Sequence, residues 1–237
     1  MAAVRGDVVQ AVCRELETAG DPERAKGQQA YMKSAMPFRG ISSPQLKAVL
    51  RPLLADPAYV LSDRNEWEAT VCGLWDGAQF REERYAAMAI CGHRLYRQWA
   101  QDRSVIPLYR HLIETGAWWD YVDDIAAHRI GPILRAHPRS ESDRMRSWAV
   151  ASNLWVRRAA ILSQLLSKGQ TDRQLLLDCI MPNLADPDFF IRKAVGWSLR
   201  QYARSGSEAA DWVRDRVDEQ GPRLSPLSRR EALKHLR

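Results

Sequence analysis

The 237-residue sequence is poorest in what sheets, cross-links and cofactor sites require. Alternating β-branched runs joined by hairpin turns are missing, which argues against a β-protein. The four cysteines, Cys13, Cys72, Cys91 and Cys179, form no Cys-x-x-Cys pair and have no histidine at zinc-ligand spacing. They therefore read as buried, reduced core residues of a cytoplasmic protein, not as a disulfide framework or a structural zinc site. The five histidines are scattered, and none stands with Ser or Cys as an activated nucleophile. There is no glycine-rich phosphate loop, no His-Glu-x-x-His and no EF-hand, and no carboxylate cluster of the kind a metal-dependent nuclease needs. Neither a metal nor a cofactor is expected. No apolar run approaches membrane-spanning length, and the opening Met-Ala-Ala-Val-Arg-Gly-Asp-Val-Val-Gln has no apolar leader core. The expectation is a soluble, cytoplasmic monomer without a membrane partner.

What is present is helical spacing. Apolar residues recur at three and four in Val8-Val9-Val12-Leu16 and in Leu46-Val49-Leu50-Leu53-Leu54. Gly20-Asp21-Pro22 separates the first two helices, with Asp21 as N-cap and Pro22 in the first turn, and Gly40 to Pro44 separates the next two in the same way. Later helices are expected at 65–74, 81–96, 105–115, 118–135, 144–151, 154–167, 172–184, 189–203, 208–219 and 228–236. Loops are short, and no linker divides the chain. The reading is one all-α domain over 1–237, built from paired helices.

The pairs repeat. Trp155-Val-Arg-Arg158-Ala-Ala-Ile161 matches Phe190-Ile-Arg-Lys193-Ala-Val and Pro226-Leu-Ser-Arg-Arg230-Glu-Ala-Leu233. Arg158, Lys193 and Arg230 fall at steps of 35 and 37, and 35 residues before Arg158 lies Asp123. Such a period with two helices per unit predicts a superhelical α-solenoid of HEAT-like repeats. Equivalent positions then form one column: Asp123, Arg158, Lys193 and Arg230, with Trp119 one turn before Asp123 and Trp197 one turn after Lys193. Any one of these cations read alone is equally a partner for an acid of the neighbouring repeat. As a column of one sign it describes a concave basic groove for a phosphate backbone, with one acid inside it. The chain's net charge of +6 and pI near 9.3 favour a polyanionic partner in the same direction.

The acid lies in Trp118-Trp119-Asp120-Tyr121-Val122-Asp123-Asp124. Trp119 and Asp123 stand four apart and share a helix face, a pairing of opposite burial preferences. Asp120 and Asp124 read as cap or solvent residues. Trp118, Trp155, Trp148, Trp67 and Trp75 read as packing.

With these motifs in order over nearly the whole length, the chain resembles the bacterial AlkD family of alkylpurine DNA glycosylases, built from HEAT-like repeats. The likeness is carried by Ala-Tyr31-Met-Lys, Trp118-Trp119-Asp-Tyr-Val-Asp123, Asn153-Leu-Trp-Val-Arg-Arg158-Ala-Ala-Ile-Leu, Phe189-Phe-Ile-Arg-Lys-Ala-Val-Gly-Trp197 and Leu224-Ser-Pro-Leu-Ser-Arg-Arg-Glu-Ala-Leu-Lys-His. The resemblance implies excision of N3- and N7-alkylated purines from double-stranded DNA without drawing the base into a pocket. It places the catalytic aspartate on Asp123, lesion-flanking tryptophans on Trp119 and Trp197, a groove arginine on Arg158 and a DNA-contacting tyrosine on Tyr31. Lys193 and Arg230 join Arg158 as expected phosphate contacts. The competing reading is a non-catalytic HEAT-like scaffold that binds nucleic acid or protein.

Overall fold

The computed structural model describes residues 3–236, and among them there are helices and no strand. None of these helices is long and apolar enough to cross a membrane. Two compact units are present, one ending at Ala100 and the other beginning at Gln101.

The first unit holds α1 (Gly6–Thr18), α2 (Pro22–Met32), α3 (Ser43–Ala55), α4 (Arg64–Asp76), α5 (Arg81–Cys91) and a single turn, α6 (Arg97–Ala100). The three-and-four spacing of α1 buries Val8, Ala11, Val12 and Leu16, and this face packs on α3, α4 and α5. Asp21 accepts the Arg24 N–H at 3.1 Å, with Pro22 opening α2. Trp67 and Trp75 on α4 are fully buried, and sealing such side chains from water stabilises the unit by roughly 1.5–3 kcal/mol each. Helix α5 stops at Cys91, before its expected end at 96, because Gly92 terminates it and a separate turn forms at Arg94–Tyr96. Glu82 on α5 is buried and accepts the N–H groups of Arg39, Gly40 and Ile41, which fastens the segment before α3.

The second unit begins with α7 (Ile106–Gly116) and α8 (Trp119–Asp124). Between them Ala117 is left-handed (φ 45°) and Trp118 is extended. Helix α8 runs on through a π-helical segment, Ile125–Ile130, into α9 (Gly131–Ala136). There the Gly131 N–H reaches back five residues, to the carbonyl of Ala126. Pro132 follows and has no N–H to donate, so a wider turn takes up the broken ladder. Helix α10 (Pro138–Ala149) starts earlier than the expected 144, at a proline suited to the first turn. It is followed by α11 (Leu154–Leu162), α12 (Arg173–Ile180), α13 (Phe189–Ala203), α14 (Ser207–Gln220) and α15 (Pro226–Ala232).

Packing in this unit follows the repeat: α8 lies on α11, α11 on α13 and α13 on α15, while α10 backs α11 and α12, and α14 backs α13. The approach of α13 to α15 is closest at Gly196. A Cβ there would lie 2.5 Å from the Ser228 carbonyl oxygen and 2.5 Å from the Glu231 Cβ, so only glycine fits. Trp148 and Trp155 are buried, as packing residues should be, and Trp118 is half-buried.

Candidate functional site

Asp123, Arg158, Lys193 and Arg230 are each the fifth residue of their helix, on α8, α11, α13 and α15. The common register comes from how the helices begin. Asn153, Asp188 and Ser225 turn their side chains onto the first free N–H groups of α11, α13 and α15. The start of α8 has no such side-chain cap. An aromatic layer holds it instead, with Trp118 6.0 Å from Trp155 and 5.6 Å from Phe190 between ring centroids, and Trp155 5.0 Å from Phe190.

One turn further along, Arg158 meets Asp123. Its Nε donates to Asp123 Oδ1 at 2.7 Å and its Nη2 to Oδ2 at 2.8 Å, a bidentate fork. Its Nη1 donates to the Phe190 carbonyl on α13, and the guanidinium carbon lies 5.9 Å from the Phe190 ring centroid. The two side chains are 4% and 13% exposed, Arg158 being the more deeply covered. Burial pushes the Asp123 carboxyl above its ordinary value, with the nearby Asp120 and Asp124 adding to the push, while the Arg158 hydrogen bonds and charge oppose it.

Arg158, expected from the sequence as a phosphate contact, is thus paired within the protein, the alternative that each cation of the column carried when read alone. All three nitrogens of Arg158 are engaged inside the protein, which leaves the largely covered carboxylate compensated, as a charge removed from water must be. Lys193 is paired as well: its Nζ donates to Glu231 Oε1 on α15 at 2.6 Å, with 39% of the lysine side chain still exposed. Arg230 is exposed and forms no ion pair among the described residues. So the first two charges of the column are turned onto each other, and the last two stand more open to solvent.

Trp119 is half-buried on the face of α8 that carries Asp123, and Trp197 is half-buried on α13, one turn after Lys193. Asp124 lies 3.6 Å from Arg129. Tyr31, in the first unit, is 78% exposed near the end of α2. Two further participants carry only weak signals in the sequence. Glu231 is marked there only as the acid that follows the column residue in the last repeat copy. Phe190 is marked as the aromatic three residues before Lys193, matching Trp155 before Arg158.

A tandem array of helix pairs that lines up charged side chains at one register, beside tryptophans, defines a helical repeat scaffold. More particularly, the chain belongs to the DNA alkylation repair enzyme family, whose model matches residues 12–236. A solved structure described as a predicted DNA alkylation repair enzyme from Enterococcus faecalis is similar to it, with 29% identity and a TM-score of 0.75, over 92% of this chain and 96% of that one. No curated protein matches. Membership in this family makes DNA repair the biological setting and DNA the partner.

Proposed function

We propose that the protein is a monofunctional DNA glycosylase that hydrolyses the N-glycosidic bond of N3- and N7-alkylated purines in duplex DNA. The observation that carries this reading is the Asp123 carboxylate, 13% exposed and fixed in a bidentate fork by Arg158 on the Trp119 face of α8. Alkylation at N3 or N7 makes the purine cationic, so it leaves without a general acid, unlike the leaving group of an ordinary glycoside. As the bond to C1′ breaks, its electron pair neutralises the purine and positive charge builds on the deoxyribose. A fixed carboxylate at that point stabilises the charge and orients the water that adds to C1′ and then loses a proton. Asp123 has this role, and Arg158 holds it in place and in its charged form. Trp119 and Trp197 offer π-faces to the cationic nucleotide. Lys193, Arg230 and Tyr31 are the contacts to the DNA backbone, where they fix position without reading sequence. The base stays out of any deep pocket, in contrast to base-flipping enzymes, and the chain acts as a monomer.

The internal pairing of Arg158 also favours a second reading, a non-catalytic scaffold whose ion pairs only join helices. The two separate on methylated duplex DNA incubated with the protein in chelator, followed by detection of free bases. The glycosylase reading expects 3-methyladenine or 7-methylguanine to be released by the native protein, and release to fall at least about 100-fold in Asp123→Asn, the scale of losing one preorganised electrostatic group. No release by the native protein leaves the scaffold, whereas undiminished release by the variant takes the catalytic role away from Asp123.

A further inference from the structure

Glu231 is a buried carboxylate, 6% exposed, that the proposed reaction does not use. Both of its oxygens are engaged, and by one helix. Oε1 accepts from Lys193 Nζ at 2.6 Å and Oε2 accepts from Arg200 Nη1 at 2.6 Å. Lys193 and Arg200 stand seven apart on α13, which places them on one face, two turns apart. The backbone between them is Gly196, against which Glu231 itself is pressed, its Cβ 2.5 Å from where a side chain would begin. On the other edge of that strip, one turn from Lys193 and three residues from Arg200, stands the half-buried Trp197.

One ion pair would suffice to dock α15 on α13. A single carboxylate that spans two cations either side of an aromatic does more, because it fixes the distance between them. The set keeps a net charge of +1, and its outward member is Lys193, 39% exposed against 17% for Arg200. A free lysine loses rotamer freedom when it grips a phosphate, whereas one already held loses less.

We infer that Glu231 is a positioning residue, a brace that holds Lys193 and Arg200 on either side of Trp197 so that the lysine meets a DNA phosphate, and the tryptophan the damaged nucleotide, from fixed places. This rests on the glycosylase reading for the role of Trp197, but not for the coupling of Lys193 to DNA. A carboxylate acting only as charge, or only as helix glue, behaves differently from a brace.

The test uses the full chain with Glu231→Asp and Glu231→Gln, measuring single-turnover base release from a 7-methylguanine duplex, affinity for undamaged duplex, and the melting temperature. Glu231→Asp keeps the charge and shortens the reach. The brace expects release to slow at least tenfold with duplex affinity within a few fold of native. Glu231→Gln removes a negative charge. It should slow release to the same degree while binding undamaged duplex as tightly as native or more so. Native-rate release by Glu231→Asp, or release and binding falling together in step with the loss of folded protein, overturns the brace. Should both variants fail to fold, Arg200→Met removes one arm and leaves the Lys193 pair. Tenfold slower release is then expected, and an unchanged rate overturns the inference. Should the native protein release no base, the glycosylase reading fails by itself and the brace is read from binding. Lys193→Ala should then weaken duplex affinity by more in the native background than beside Glu231→Gln, and equal weakening in both overturns it.

Discussion

The second unit contains two ion pairs at the same repeat register, and they are built in opposite senses. In Asp123–Arg158 both members stand in the column, the arginine covers the acid, and neither side chain exceeds 13% exposure. In Lys193–Glu231 the cation occupies the column and stays 39% exposed, and the acid is the buried partner. The first pair encloses a negative charge whose burial raises its carboxyl value despite the guanidinium. The second offers a positive charge outward, and the Glu231 carboxyl is held below its ordinary value by Lys193 first and Arg200 after it. The same repeat position thus serves two chemistries, one suited to a developing cation on a sugar and the other to a phosphate.

The sharpest way to break this comparison is to remove each cation. Arg158→Ala leaves a buried carboxylate uncompensated, so a loss of about 3–5 kcal/mol in stability is expected. Lys193→Ala removes a half-exposed partner and leaves Glu231 still held by Arg200, so it should cost only about 1 kcal/mol. Binding to undamaged duplex should show the reverse. Lys193→Ala should reduce the slope of log affinity against log salt by about one, as expected when one phosphate is no longer neutralised, while Arg158→Ala, corrected for folded fraction, should leave it unchanged. Denaturant unfolding and salt titration measure the two. A reduced salt slope in Arg158→Ala would show that the guanidinium swings outward to DNA and would erase the distinction between the pairs.

The next test is acid. Base release needs Asp123 charged, and burial has raised its carboxyl above the ordinary 3.8, so release should fall on acidification with a midpoint above that value. Glu231 behaves oppositely. Its lowered carboxyl contributes stability that is present above the ordinary 4.5 and is lost as pH falls through the depressed value. Glu231→Gln should remove that share of the acid-induced loss of stability without moving the midpoint of base release. A midpoint that moved with Glu231→Gln would mean that the two carboxylates act as one system.

The column itself was legible in the sequence. Steps of 35 and 37 residues put Asp123, Arg158, Lys193 and Arg230 at the fifth place of four helices, because a repeat fixes register through its caps, and Asn153, Asp188 and Ser225 are short-range signals. The direction of each side chain was not. Whether Arg158 points to phosphate or to Asp123 depends on how far α8 stands from α11, and helix spacing is set by packing that no local pattern records. The π-helical segment after Asp124 was hidden for a related reason. Pro132 inside an apolar helical pattern signals a break, and only the tertiary setting decides between a kink and a widened turn. Glu231 was in plain view beside Arg230, yet its weight comes from Gly196, whose missing side chain lets α15 close on α13.

The smallest expected effect bears on how the two pairs are started. The helix that carries Lys193 begins at extended Asp188, whose side chain accepts from Phe190 and Ile191. The helix that carries Asp123 has no such cap and follows Ala117, held at φ 45°, a left-handed conformation that costs a non-glycine residue about 1–2 kcal/mol. Ala117→Gly should relieve part of that strain and, against the larger freedom glycine gives the unfolded chain, leave a gain near 1 kcal/mol, or about 2–4 °C in melting temperature for a chain of this size. Base release should stay at the native rate, because the aromatic layer of Trp118, Trp155 and Phe190 sets where α8 lies. A stabilised but slower variant would show instead that the strained turn itself aims Asp123, and that the acid of this unit is placed by backbone as much as by Arg158.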